Sequence, residues 1–176
     1  MALLAEELVE EWLNRQGYFT IRGVKVGVDE IDLLAVKYSD KGKPECRHVE
    51  VQASMRPISY ISRIPKTLLE AGQSPTSAKT RSSELLKAGV KEWVIKKFKK
   101  PNKLSVIESL FPINWSTELV VNNVKSEEEL KYIESEGVKL TRLSEVIKEL
   151  NKNDFKIKSA SGADFSDLIH LASQNV

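Results

Sequence analysis

Two short segments of the sequence place polar residues among apolar ones at a two-residue spacing: Glu30 and Asp32 within 29–35, and His48, Glu50 and Gln52 within 48–52. Successive side chains of a β-strand point to opposite faces, so this spacing gathers the polar groups of each segment on one face. If the two strands pair with these faces matched, Asp32 and Glu50 meet on one side of a sheet. Two carboxylates held together beside apolar walls repel each other, and a divalent cation between them relieves the repulsion. Ligands that are all oxygen favour Mg²⁺ or Mn²⁺ over zinc.

The alternative is that both carboxylates lie on the solvent-exposed face of an antiparallel sheet. Three features of the sequence weigh against it. Asp32 is followed by an apolar run typical of a strand interior, Glu50 stands between two valines, and the first predicted helix offers a further carboxylate. We therefore treat Asp32 and Glu50 as candidate metal ligands.

The spacing of apolar residues and the positions of glycine, proline and turn clusters predict an α/β fold. The predicted helices are 2–16, a short one near 60–70, 77–88 with a continuation over 90–98, 126–137 and 143–150, and the predicted strands are 18–24, 29–36, 45–53, 118–122 and 138–140. Short connections between the first three strands predict an antiparallel meander packed on the first helix. The β-α-β-α order that follows predicts that the last two strands are parallel. A capping box is expected at Ser126 and Glu129.

The chain length fits one domain, which we assign to residues 1–150. Residues 151–160 are polar and linker-like, and an apolar pattern predicts a terminal helix over 163–173 that docks on the domain. Residues 151–176 therefore form a predicted C-terminal linker and docked helix.

Composition excludes several classes of protein. One cysteine and two histidines cannot build a disulfide framework or a zinc finger. No run of about 18 apolar residues predicts a membrane span, and glutamates follow the first five residues where a signal peptide would be apolar. We expect a cytoplasmic protein with no membrane partner.

The net charge of +2 does not identify a nucleic-acid binder, but the basic residues are unevenly placed. Residues 87–103 hold seven lysines and one glutamate, and a further basic stretch precedes residue 83. A charge run is often just a solvated face, and the alternative is a track that binds phosphates. The candidates for the track are Arg56, Arg63, Lys66, Lys79, Arg81, Lys96, Lys97, Lys99 and Lys100.

The order of these features resembles a known family. A helix carrying Glu6 leads to Gly17-Tyr18, then to Glu-Ile-Asp-Leu-Leu-Ala at 30–35 and Val-Glu-Val-Gln at 49–52. This is similar to the PD-(D/E)XK nuclease superfamily of restriction-endonuclease-like fold, and within it to Holliday-junction resolvases and small bacterial endonuclease-like proteins. The resemblance covers about two thirds of the chain. It implies an α-β-β-β-α-β core with a mixed central sheet, here followed by a C-terminal β-α unit and a terminal helix.

The resemblance also implies functional residues. Asp32 and Glu50 would bind Mg²⁺ or Mn²⁺ with the backbone carbonyl of Val51, and Glu6, or its neighbour Glu7, would complete the site. The expected activity is metal-dependent hydrolysis of phosphodiester bonds, with DNA as the partner. Members of this superfamily commonly act as dimers, so the resemblance implies a homodimer.

The sequence departs from the family at Gln52, where most members have a lysine that stabilises developing negative charge. Glutamine can orient a water molecule by hydrogen bonding but carries no charge. Two alternatives therefore stay open beside the nuclease: an inactive nucleic-acid-binding or subunit protein on the same fold, and an unrelated α/β interaction domain. His48 is expected to be an ordinary strand residue, although it could approach substrate, and Trp93 is expected to pack in the core.

Overall fold

The protein has an α/β fold with helices on both faces of a mixed sheet. The computed structural model describes residues 2–54 and 56–152, with side chains from residue 4. The predicted terminal helix at 163–173 lies outside the described residues. The helices are α1 (Ala2–Arg15), α2 (Ser83–Phe98), α3 (Pro101–Leu110), α4 (Glu127–Ser135) and α5 (Leu143–Leu150), and the strands are β1 (Phe19–Val26), β2 (Asp29–Tyr38), β3 (Pro44–Gln52), β4 (Trp115–Val121) and β5 (Lys139–Arg142).

The five described strands lie in the order β1-β2-β3-β4-β5. The first two pairings are antiparallel, and the last two are parallel. Both the predicted meander and the predicted parallel pair are therefore confirmed. The long crossover from β3 to β4 contains α2 and α3, so both helices pack close to the end of β3.

The two faces of the sheet carry separate apolar cores. On one face α1 and α5 pack against alternate residues of β2 and β3, including Leu33 and Val49. On the other face α2 and α4 pack against β4 through Val94, Phe98 and Leu119. Because the middle of β3 is covered on both sides, its polar residues Arg47, His48 and Glu50 are buried although they alternate between the two faces.

The middle of the chain differs from its predicted layout. The helix predicted near 60–70 is only a 3-10 turn at Lys66–Leu68. The two helices predicted over 77–88 and 90–98 form one helix, α2, which begins where the Ser82 hydroxyl accepts a hydrogen bond from Leu85 N at 3.3 Å. Pro101 is the first residue of α3, because the first turn of a helix has no use for the N–H that proline lacks.

The capping box expected at the start of α4 is half formed. Ser126 accepts a hydrogen bond from Glu129 N at 3.2 Å, as predicted. The Glu129 side chain, however, is fully buried and binds the backbone N–H groups of Ile61 at 2.7 Å and Ser62 at 2.9 Å. This contact between distant segments was not predictable from the local sequence, and it fixes the loop before α2. Within the described residues, no helix has the length and apolar character needed to cross a bilayer.

Candidate active site

Strands β2 and β3 place the two candidate carboxylates on one face of the sheet. Their antiparallel register sets Leu34 opposite His48. Asp32 precedes Leu34 by two residues and Glu50 follows His48 by two, so all four side chains share a face. Asp32 Oδ2 also accepts a hydrogen bond from Val51 N at 2.8 Å, which joins the start of β2 to the end of β3. The register gives the shared face that strand alternation predicts, and the assignment of the two carboxylates as metal ligands stays a prediction.

Glu50 is the centre of a buried polar cluster. Its side chain is 1% exposed. Its Oε1 contacts His48 Nε2 at 3.2 Å and Lys103 Nζ at 3.1 Å, and its Oε2 accepts from Lys97 Nζ at 2.5 Å. Burial pushes the pKa of Glu50 upward, but the His48 hydrogen bond and the two lysine charges outweigh it, and the pKa lies below its ordinary value. Glu50 is therefore held as an anion inside the protein.

Asp32 has the opposite balance. Burial first, and the charge of Glu50 second, raise its pKa to about 7, although the Val51 N–H and Lys97 work against this. Near neutral pH the Asp32 carboxyl is thus about half protonated. A cation that reaches it displaces that proton and relieves the repulsion from Glu50, so the pair favours the binding of positive charge.

The structure distinguishes between the two helix glutamates. Burial and the charges of Glu30 and Glu50 raise the pKa of Glu6, while Arg22 and Lys97 lower it, so Glu6 lies within electrostatic reach of the site. Glu7 instead pairs with Arg22, with Glu7 Oε1 3.1 Å from Arg22 NH1. Of the two candidates, Glu6 is therefore the one whose charge interacts with Glu50.

Gln52 carries no charge, and the positive charges beside Glu50 come from two helix lysines, Lys97 and Lys103. Among the described residues, the side-chain amide of Gln52 has no hydrogen-bond partner, and its backbone carbonyl accepts from Asn122 N at 3.2 Å. Lys97 comes from α2 and Lys103 from α3. Burial lowers the pKa of Lys97, but the carboxylate of Glu50 raises it by more, so Lys97 stays charged.

Sequence reasoning assigned Lys97 to the phosphate track and missed Lys103. The available signal was that Lys103 lies four residues before the buried Ile107 and so shares its helix face.

The carboxylate oxygens of Asp32 and Glu50 fit Mg²⁺ or Mn²⁺ better than zinc. In the part of the chain that the structure describes, no group of three or more His, Cys, Asp or Glu side chains is arranged to hold a metal ion. Structural zinc needs four protein ligands, mostly sulfur or nitrogen. Mg²⁺ keeps several waters and is usually bound by one or two carboxylates together with substrate phosphates. Asp32 and Glu50, with oxygen donors alone, therefore fit Mg²⁺ or Mn²⁺.

A cleft of about 220 Å³ adjoins this cluster. It lies between α2 and the loop before it, and Lys97 belongs to both the cleft and the Glu50 cluster. Its other lining residues are Ile61, Arg63, Gly89, Glu92, Trp93 and Lys96. Trp93 was expected to be a core residue, and it is half-buried with part of its surface in the cleft.

The predicted phosphate-binding residues separate into two groups. The exposed ones are Arg56, Arg63, Lys66, Lys79, Lys96 and Lys99. Arg81 is buried, where it donates to the carbonyls of Ser62 at 2.9 Å and Ser77 at 3.2 Å, so its assignment to a surface track was wrong. Lys97 faces Glu50, and Lys100 is paired with Asp29.

Comparisons with known proteins leave the function open. No protein-family model matches the sequence, and no curated protein matches it. Among solved structures, the crystal structure of a protein of unknown function, AF1548, matches over 97% of this chain and 79% of that protein, with a TM-score of 0.48 and 15% identity. A similarity this distant carries no argument, so any functional conclusion depends on the residues of this chain.

Proposed function

We propose that the protein is a Mg²⁺- or Mn²⁺-dependent nuclease of the PD-(D/E)XK type that hydrolyses phosphodiester bonds in DNA. The observation that carries the proposal is the same-face pair Asp32 and Glu50, contacted by Lys97 at the edge of a basic cleft. Each component alone has a structural explanation. Their combination on neighbouring strand ends supports metal-assisted phosphodiester hydrolysis as the reaction class.

Asp32, Glu50 and the backbone carbonyl of Val51 would hold the metal ion. When bound, the ion supplies a water of lowered pKa and offsets charge on the reacting phosphate. The residues of the chain have complementary tasks. His48 and Lys103 hold Glu50 in one orientation from its Oε1 side, and its Oε2 side binds Lys97, which also lines the cleft.

Lys97 supplies the charge that the family places two residues after the acid. Its Nζ lies 2.5 Å from Glu50 Oε2 and feels the charge of Asp32 as well. An ammonium group in that position can move from Glu50 to a phosphate oxygen and stabilise the charge that develops there. Gln52 orients the attacking water by hydrogen bonding, and no covalent intermediate is needed.

A specific observation favours the second candidate, a nucleic-acid-binding protein without cleavage. Glu50 is contacted by His48, Lys97 and Lys103 together, and two cations on one carboxylate compete with a metal ion for it. On this interpretation the lysines replace the metal, and the cleft and surface lysines bind nucleic acid without cutting it. Cleavage assays decide between the two candidates.

The test measures Mg²⁺- and Mn²⁺-dependent nicking of plasmid, branched and single-stranded DNA. Glu50→Ala should abolish nicking, Lys97→Gln should lower it about 10²–10³-fold, and Gln52→Lys should keep or raise it. Lys91→Gln, an exposed lysine of the same helix, is the matched control and should behave as the wild type. Equal nicking by wild type and Glu50→Ala would indicate contamination and end the nuclease proposal. Cleavage by Gln52→Lys alone would favour the binding protein.

A further inference from the structure

One wall of the cleft, the loop at residues 61–63, is preorganised by contacts within the protein. Gly89 lets the loop at residues 61–63 lie directly on α2, because a Cβ at this position would be 2.7 Å from Arg63 O and 2.9 Å from Ser62 Oγ. From the other side, the buried Glu129 binds Ile61 N, Ser62 N and, at 2.5 Å, Ser62 Oγ. A loop fixed from two sides loses little freedom when a ligand binds, and this favours affinity.

The groups that line the cleft are of three kinds. Trp93 presents part of its ring there, and the ring is supported by an edge contact with Phe98 at 5.9 Å between centroids. Arg63 and Lys96 are exposed, and neither has an ion-pair partner among the described residues. Glu92 is the acidic residue of the lining and offers a hydrogen-bond acceptor at the rim.

An aromatic ring flanked by free cations matches the chemistry of a nucleotide. Stacking of a base on an aromatic side chain stabilises a single strand without regard to its sequence, and cations bind the phosphates on either side. The cleft volume of about 220 Å³ is below the roughly 300–1,000 Å³ of sites that enclose a whole small molecule, so it takes part of a larger ligand. A paired base cannot enter, because its neighbours in the duplex cover both of its faces.

From these observations we infer that the cleft binds one unpaired nucleotide of the substrate, with its base on Trp93 and the adjoining phosphates on Arg63 and Lys96. Lys97 lines the cleft and contacts Glu50, so this nucleotide lies next to the bond to be cut. The inference rests on the proposed nuclease function and names its substrate class. The substrates are single-stranded DNA and branched or flapped DNA, and uninterrupted duplex is disfavoured.

The test measures binding, so that its result does not depend on cleavage. Fluorescence anisotropy in EDTA at fixed salt gives the Kd for a single-stranded oligonucleotide, the matching duplex and a duplex with a single-stranded flap. Trp93→Leu should weaken single-strand and flap binding about 5- to 100-fold and change duplex binding less than about twofold. Trp93→Phe should retain most of the affinity. Trp115→Phe, which changes a tryptophan outside the cleft, is the control and should change nothing.

Two further measurements keep the test decisive if Trp93→Leu folds poorly. Arg63→Gln and Lys96→Gln change exposed side chains, and each should reduce the log–log salt slope of single-strand binding by about 0.7. Single-stranded DNA should also quench tryptophan fluorescence in the wild type and much less in Trp93→Phe.

The outcomes separate this inference from the proposed function. Two results would overturn the nucleotide cleft even if Glu50-dependent cleavage is found. The first is that Trp93→Leu weakens single-strand and duplex binding equally. The second is that Trp93→Leu leaves the affinity unchanged and that Arg63→Gln and Lys96→Gln leave the salt slopes unchanged. Selective loss on single strands supports the cleft even if no variant cuts DNA.

Discussion

Glu50 and Glu118 are buried carboxylates on the neighbouring strands β3 and β4, and they lie on opposite faces of the sheet. Glu118 is fully buried and is bound by the guanidinium of Arg47, with a second hydrogen bond from Thr141 Oγ1 at 2.5 Å. Arg47 is itself fixed, because its guanidinium stacks on the rings of Trp12 and Tyr18, each 5.2 Å away. The buried pair of Arg47 and Glu118 is thus held rigidly, and the exposed Lys139 approaches Glu118 Oε1 only at 3.6 Å.

The charges around Glu50 are held less rigidly. Its cations are lysines, which are flexible point charges, whereas arginine is a rigid fork. Lys97 reaches the cleft, and a second carboxylate, Asp32, keeps a raised pKa because burial and the charge of Glu50 outweigh the effects of the Val51 N–H and Lys97. The comparison teaches that burial of a charge alone does not indicate a functional site. The informative features are an unbalanced carboxylate, a movable cation and access to a cleft.

The largest expected difference between the two regions is in cleavage. Glu50→Gln should lower the rate of DNA cleavage at least about 10²–10³-fold, because it removes a metal ligand and the partner of Lys97. Glu118→Gln should leave the rate per folded molecule within about twofold, since Glu118 faces the opposite side of the sheet. Single-turnover kinetics, normalised to the folded fraction, measure both. Similar losses in the two variants would break the comparison.

The second expected difference is in stability. Glu118→Gln leaves Arg47 buried without its counter-ion and should lower the free energy of unfolding by about 3–5 kcal/mol. Glu50→Gln should cost less, because Lys97 is 31% exposed and can turn to water, while the buried Lys103 keeps its hydrogen bond to Lys97 O at 3.1 Å. Urea denaturation measures both values. The double variant Arg47→Met with Glu118→Leu is the control, and it should recover much of the loss because no charge is left unpaired.

The third expected effect concerns Asp32 and is spread over several pH units, so it is small at any one step of pH. Its pKa is about 7 in the folded chain and about 4 in the unfolded chain, so between these values the folded chain holds a proton that the unfolded chain has released. The free energy of unfolding should therefore fall as the pH rises from about 4 to about 7, by up to about 4 kcal/mol, and stay level above that. Asp32→Asn should remove this part of the decline.

Urea denaturation across pH 4–8 tests this prediction, with Asp40→Asn in the exposed β2–β3 turn as the matched control. Mg²⁺ at pH 7.5 should stabilise the wild type more than Asp32→Asn, because the ion replaces the proton on Asp32. If the free energy of unfolding changes with pH in the same way in wild type and Asp32→Asn, the pKa of Asp32 is not raised by folding, and the prediction is wrong.

The sequence predicted those parts of the site that depend on local geometry. Asp32 and Glu50 share a face because alternation along a strand is set by the backbone, and the meander follows from short connections. Lys97 and Lys103 could not be singled out among seven lysines, because the inward-facing ones depend on how α2 and α3 pack on the sheet. The burial of Arg81 likewise depends on contacts with residues far away in the sequence.

Gly89 has a consequence for how the protein can change. A glycine inside a helix costs about 0.5–1 kcal/mol relative to alanine, so α2 is less stable than its length allows. Alanine would strengthen the helix and at the same time push the backbone of the adjoining loop away, because the obstructing atom is Arg63 O and not a flexible side chain. At position 89, the residue that makes the helix more stable therefore also displaces the wall of the cleft. Because Glu129 holds the same loop from its other side, the loop cannot move without straining those hydrogen bonds, so alanine at this position would lower the stability of the fold even as it strengthened the helix.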